Sequence, residues 1–69
     1  MSVKLIDFMN VMSFNEKIEI YDKNNHVLFL GSKNHILSLL HKKQVIATKK
    51  ITGFMVYNNV ISININYEK

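Results

Sequence analysis

Leu5, Phe8, Met9 and Met12 recur at i, i+3, i+4 and i+7 and predict one apolar stripe of a helix, with Lys4, Asp7 and Asn10 off the stripe. Ser2 stands where an N-cap belongs. At about three turns such a helix is marginal alone, so it reads as a lid on a core. Ser13-Phe14-Asn15 breaks the period, and Glu16 to Asp22 alternates instead, with Ile18 and Ile20 facing one way and Lys17, Glu19 and Tyr21 the other. Asp22-Lys-Asn-Asn25 is a turn by composition, because Asp and Asn tolerate positive φ. His26 to Leu30 then reads as the second strand of a hairpin, apolar on both faces and so expected at the centre of a sheet.

Gly31 ends that strand and Ser32 is placed to cap a helix over Lys33–Lys43, which buries Ile36, Leu37 and Leu40, with Leu39 beside them. Gln44 to Thr48 reads either as a short strand or as the loop leaving the helix. Lys49 to Tyr57 has β-propensity with Gly53 as a bulge, Asn58-Asn59 forms a hairpin turn, and Val60 to Tyr67 alternates. In that last strand Ile61, Ile63, Ile65 and Tyr67 share one face, and Ser62, Asn64 and Asn66 the other. The expected fold is α+β, in the order α-β-β-α-β-β, a small antiparallel sheet with two short helices on one face. The whole chain, residues 1–69, is one small domain, without proline, low-complexity tract or repeat to divide it.

Composition narrows the chemistry. Cysteine is absent, which removes disulfides, thiolate metal sites and cysteine nucleophiles, and a reducing cytoplasmic setting is expected. The amino terminus lacks the basic start, apolar core and cleavage site of a secretory signal, and no apolar run approaches the length of a membrane span. The formal charge is +4, and all nine basic residues are lysine. Lysine grips phosphate as a point charge but lacks the arginine fork that reads guanine edges. Nine Asn, nine Ile and nine Lys also fit an AT-rich genome, so codon supply accounts for part of the lysine excess.

His26, His35 and His41 have no metal-ligand spacing; His35 and His41 lie six residues apart, roughly 120° around a helix. Neither paired carboxylates nor a nucleophile elbow is present, and no enzymatic activity, cofactor or small-molecule substrate is expected. Gly31-Ser32-Lys33 echoes the end of a phosphate loop but lacks its order, so a capped strand-to-helix turn is the ordinary reading. Lys42, Lys43, Lys49 and Lys50 form the candidate nucleic-acid-binding set, with Tyr21, Phe54, Tyr57 and Tyr67 as aromatics for base stacking.

More apolar strand residues are present than one helix layer can cover. Leu28, Leu30, Phe54, Val56 and Tyr57 are therefore the candidate protein interface, either for a second copy of the chain or for another protein. The strand Val60 to Tyr67 is a further candidate for strand addition, provided it lies at an edge. Ile18-Glu-Ile-Tyr-Asp22 and Val27-Leu-Phe-Leu-Gly31, in their order among helices and paired strands, resemble small accessory proteins of phages and prophages in AT-rich Gram-positive bacteria. The resemblance implies a non-enzymatic protein–protein interaction module that binds and modulates a host factor, inhibitors of host defence included. A homodimer and a cytoplasmic location fit that reading. A basic chain is unsuited to mimic DNA. The alternative is a lysine-driven nucleic-acid binder with little sequence specificity.

Overall fold

Two isoleucine-bearing strands decide the architecture. In the computed structural model, which describes residues 2–12 and 17–69, Ile18 and Ile20 of β1 (Lys17–Tyr21) are buried on the same side as Ile61, Ile63 and Ile65 of β4 (Val60–Ile65). The two strands run parallel at the centre of the sheet, Ile18 opposite Ile61 and Ile20 opposite Ile63. Each is the inner strand of a hairpin: β2 (Val27–Gly31) is antiparallel to β1 and β3 (Ile51–Tyr57) to β4, giving the order β2-β1-β4-β3. Burying one isoleucine contributes about 1.5–3 kcal/mol, so five on one face dominate the driving force. The predicted break at Ser13-Phe14-Asn15 and the first position of the predicted strand, Glu16, lie outside the described residues.

The α+β class and the element order are as expected, while the sheet differs at its centre. It is mixed, with two antiparallel hairpins joined through the parallel β1–β4 pair rather than antiparallel throughout. The chain between the hairpins crosses through the helix layer from one edge strand, β2, to the other, β3; the two run in the same direction, and so do their hairpin partners β1 and β4. β2, expected at the centre, lies at an edge with Val27 and Leu30 exposed. The place beside β1 goes to β4, which carries no charged side chain. Because β4 is paired on both sides, it is closed to an added strand, and the free edges belong to β2 and β3.

The described residues form a layer of three helices against the isoleucine face: α1 (Leu5–Val11), α2 (Lys33–Lys42) and α3 (Gln44–Ala47). Leu5 and Met9, Ile36 and Leu40, and Ala47 meet Phe29 and the isoleucines in a single core. The third helix replaces the strand or loop expected at Gln44 to Thr48. Its turn closes because the Lys43 carbonyl accepts the N–H groups of Ile46 and Ala47, and Thr48 Oγ1 donates to the Gln44 carbonyl at 3.0 Å.

Ser2 does not cap α1. Val3 and Lys4 are extended and bridge to Lys50, with the Ile51 N–H donating to the Val3 carbonyl at 2.8 Å and the Leu5 N–H to the Lys49 carbonyl at 2.9 Å. A neighbouring backbone thus satisfies a helix donor that a side chain was expected to take. Ser32 does cap α2, accepting the His35 N–H at 3.3 Å. Asn58 and Asn59, at φ 48° and 61°, make the two-residue turn joining β3 to β4, and the pairing shifts between Ile51 and Gly53 as a bulge.

Candidate functional site

Among the described residues, the helices cover one side of the sheet and leave the other bare. The register lines up Leu30 of β2, Glu19 of β1, Ser62 of β4 and Met55 of β3 in one row across that bare face. Tyr21 stands two residues further along β1, and Tyr57 two residues further along β3. Both phenols donate to Glu19 Oε1, each at 3.0 Å. Glu19 is half-buried between them, and among the described residues no lysine lies within ion-pair distance of it. The hydrogen bond to Glu19 is the main influence raising both tyrosines above their ordinary pKa, followed by burial and the negative charge of Glu19 itself. The result is an aromatic-flanked carboxylate on the surface of a lysine-rich protein.

Beside it lies a shallow groove of about 440 Å³, lined by Tyr21, Asn25, Met55, Tyr57, Ser62 and Asn64. One wall is fixed by Asn64, whose Nδ2 donates to Asn25 Oδ1 at 2.8 Å and to the Asp22 carbonyl at 3.3 Å. The Asp22 carboxylate is fully buried and anchors the same turn. Its Oδ1 accepts the N–H groups of Asn24 and His26, each at 2.8 Å, and its Oδ2 accepts that of Lys69 at 3.2 Å, with His26 Nδ1 3.3 Å away. Burial is the largest single influence on this carboxyl and pushes its pKa up. The backbone donors of His26, Lys69 and Asn24, with the His26 ring, together outweigh burial and hold it below its ordinary value.

The five candidate interface residues do not form one patch. Leu30 and Tyr57 lie on the bare face. Phe54 and Val56 lie on the helix side, opposite Ile63 and Ile61, yet remain 59% and 58% exposed because β3 overhangs the helix layer. The Phe54 ring meets only the rim of that layer, tilted against Phe8 with centroids 5.6 Å apart. Leu28 is half-buried against the core at the irregular pairing of β2. Met55, 62% exposed, belongs on the bare face in its place. A second groove, of about 360 Å³, runs along the start of β3 between Val3, Phe8 and Phe54.

Lys42 ends α2 and Lys43 lies between α2 and α3, whereas Lys49 follows α3 and Lys50 bridges to Lys4 just before β3. Tyr21 and Tyr57 lie on the bare face, Phe54 leans on Phe8, and Tyr67 packs half-buried against the core. Tyr21 and Tyr57 are thus on the opposite side of the sheet from Lys42 and Lys43. Lys33 of the Gly31-Ser32-Lys33 turn donates its Nζ to the Met12 carbonyl, and Ser32 is occupied by its cap. Among the described residues, no three His, Asp or Glu side chains gather as metal ligands. Also among the described residues, no helix is long and apolar enough to cross a membrane.

Reading the residues singly missed two features. Glu19 and Tyr21 are legible as a same-face pair, but the Tyr57 contact depends on strand order. Asp22 reads as an ordinary turn residue, and its contact with the Lys69 N–H, 47 residues away, depends on the fold. No protein-family model, curated protein or solved structure matches this chain.

Proposed function

We propose that this chain is a non-enzymatic protein-binding module and that the bare sheet face is its contact surface. The observation that carries the reading is the row Leu30–Glu19–Ser62–Met55 with Tyr57 beside it: Leu30 is 49%, Met55 62% and Tyr57 43% exposed on a face that no helix among the described residues covers. Exposed apolar side chains around a few polar groups mark surfaces that a partner covers, and tyrosine is among the residues that dominate such contacts. Glu19, held by two phenols and without a cation of its own chain among the described residues, fits a lysine or arginine contributed by the partner. The resemblance to phage and prophage accessory proteins supports a host factor in the cytoplasm as the target, modulated by binding rather than by chemistry.

A lysine-driven nucleic-acid binder is the second reading, favoured by Lys42, Lys43, Lys49 and Lys50 flanking α3 in sequence. Against it, Lys42 and Lys43 belong to the helix layer, away from Tyr21 and Tyr57. Affinity capture from a host lysate, with and without nuclease, separates the two. The binding module is expected to retain a protein after nuclease and to lose it in the Leu30→Lys/Met55→Lys variant. Recovery that disappears with nuclease, or that the variant leaves intact, contradicts it.

A further inference from the structure

We propose that the outer edge of β3 pairs with the same edge of a second copy, antiparallel about a two-fold axis at Met55, so that two sheets join into one. The inference rests on the reading of the chain as a protein-binding module and names the occupant of one of its surfaces. β3 is an outer strand whose outer side, among the described residues, meets only the Val3–Lys4 segment, and that segment covers it as far as Ile51. From Gly53 to Tyr57 no backbone partner lies on that side among the described residues. The turn at Asn58-Asn59 closes the other end, so the free edge is centred on Met55.

The hairpin fixes which groups point outward. Tyr57 and Val60 close a two-residue turn and exchange hydrogen bonds, so Tyr57, Met55 and Gly53 direct their backbone groups toward β4. Phe54 and Val56 then direct theirs away from the sheet. An axis at Met55 sets Phe54 opposite the partner's Val56 and Val56 opposite the partner's Phe54, outward group against outward group, so each pair exchanges N–H and C=O. A register one residue off sets outward groups against inward ones. The side chains agree with this register. Phe54 and Val56 lie on the helix side in both copies, where each is more than half exposed and would cover the other. Nothing lies within 4 Å of the point where a Cβ would stand on Gly53, which leaves room beside the partner's Tyr57.

Charge points to a second copy as the occupant. Edge strands ordinarily carry lysine to prevent such pairing, and this chain has nine lysines but none among residues 51–67, which hold no charged residue at all. The nearest, Lys49 and Lys50, stand before the strand. In the two-fold arrangement the two copies of Lys50 fall at opposite ends, roughly 33 Å apart at about 3.3 Å per residue, several Debye lengths at physiological salt. A chain of net charge +4 therefore meets its copy along an uncharged seam.

Sedimentation equilibrium of the native chain from micromolar to millimolar concentration, with amide exchange by NMR across the same range, tests the pairing. The expected result is a reversible dimer in which the Phe54 and Val56 amides become protected as concentration rises, while those of Met55 and Tyr57 are protected throughout. Val56→Lys should weaken the dimer at least tenfold, and Leu30→Lys, on the far edge, should leave it unchanged. A single-chain mass at every concentration overturns the proposal, as does a dimer whose formation leaves Phe54 and Val56 exchange unaltered; both are read on the native chain and do not depend on a variant folding. A monomer that still captures a nuclease-resistant protein overturns the pairing and leaves the binding function standing. A dimer that captures nothing does the reverse.

Discussion

Tyr57 and Glu19 are 38 residues apart in sequence and meet across the width of β4, the phenol donating to Oε1 at 3.0 Å. The contact ties the outer hairpin to β1 on the face opposite the core. It exists only because β4 lies between β1 and β3.

Glu19→Gln tests that junction. Glu19 raises both phenols through its hydrogen bond and its charge, so removing the charge should lower the tyrosinate midpoints of Tyr21 and Tyr57 toward the ordinary value. Site-resolved NMR titration at alkaline pH reads the change. Midpoints unmoved by the substitution would mean that the phenols do not engage the carboxylate in solution.

The Asp22 carboxyl is held below its ordinary value of 3.8, so its contribution to stability is full above that pH and is lost as pH falls through the lower, folded value. Thermal unfolding of the native chain should weaken below about pH 4. Asp22→Asn should be less stable near neutrality and show a shallower decline in acid. His26, Lys23, Glu68 and Lys69 surround the site, so the comparison is made against His26→Gln to separate the ring's charge from the backbone donors. Parallel acid profiles for the native chain and Asp22→Asn would contradict the assignment.

The two glycines should respond oppositely to alanine. Gly31 sits at φ 142°, where an added Cβ would stand 2.9 Å from His35 Cδ2, so Gly31→Ala should cost about 1–3 kcal/mol in urea unfolding. Gly53 has open space at its Cβ position, and Gly53→Ala should be neutral or stabilise by about 0.4–1 kcal/mol.

Core truncation should be severe in so small a domain. Leu40 and Ile63 are fully buried, and replacing either by alanine should cost about 2–5 kcal/mol, comparable to the roughly 3–5 kcal/mol that a single small core supplies. Val45→Ala, at a position 66% exposed, should stay within about 0.5 kcal/mol. Circular dichroism of the three variants orders them.

Local chemistry made much of this fold legible. The isoleucines at 61, 63 and 65 declared a buried strand face, Asn58-Asn59 a two-residue turn, and Ser32 a helix cap, because each follows from periodicity or from one residue's conformational range. Pairing partners were not legible. Val27 to Leu30 is apolar on both faces whether it is central or, as here, an edge, and alternation in β4 does not reveal a parallel neighbour. The same limit hid the site: Leu28 and Leu30 look alike in sequence, yet the irregular pairing of β2 turns one against the core and the other outward. Met55 is absent from the candidate interface for the complementary reason, since only its register with Ser62 places it on the bare face.

Methionine oxidation reads the bare face most directly, because Met55 is 62% exposed and Met9 fully buried. With the chain dilute enough to be monomeric, peroxide should oxidise Met55 far faster than Met9, and the captured protein should slow Met55 oxidation several-fold while leaving Met9 unchanged. Equal oxidation of Met55 in the free and bound chain would show that the partner sits elsewhere and that this face of the sheet is not where the protein works.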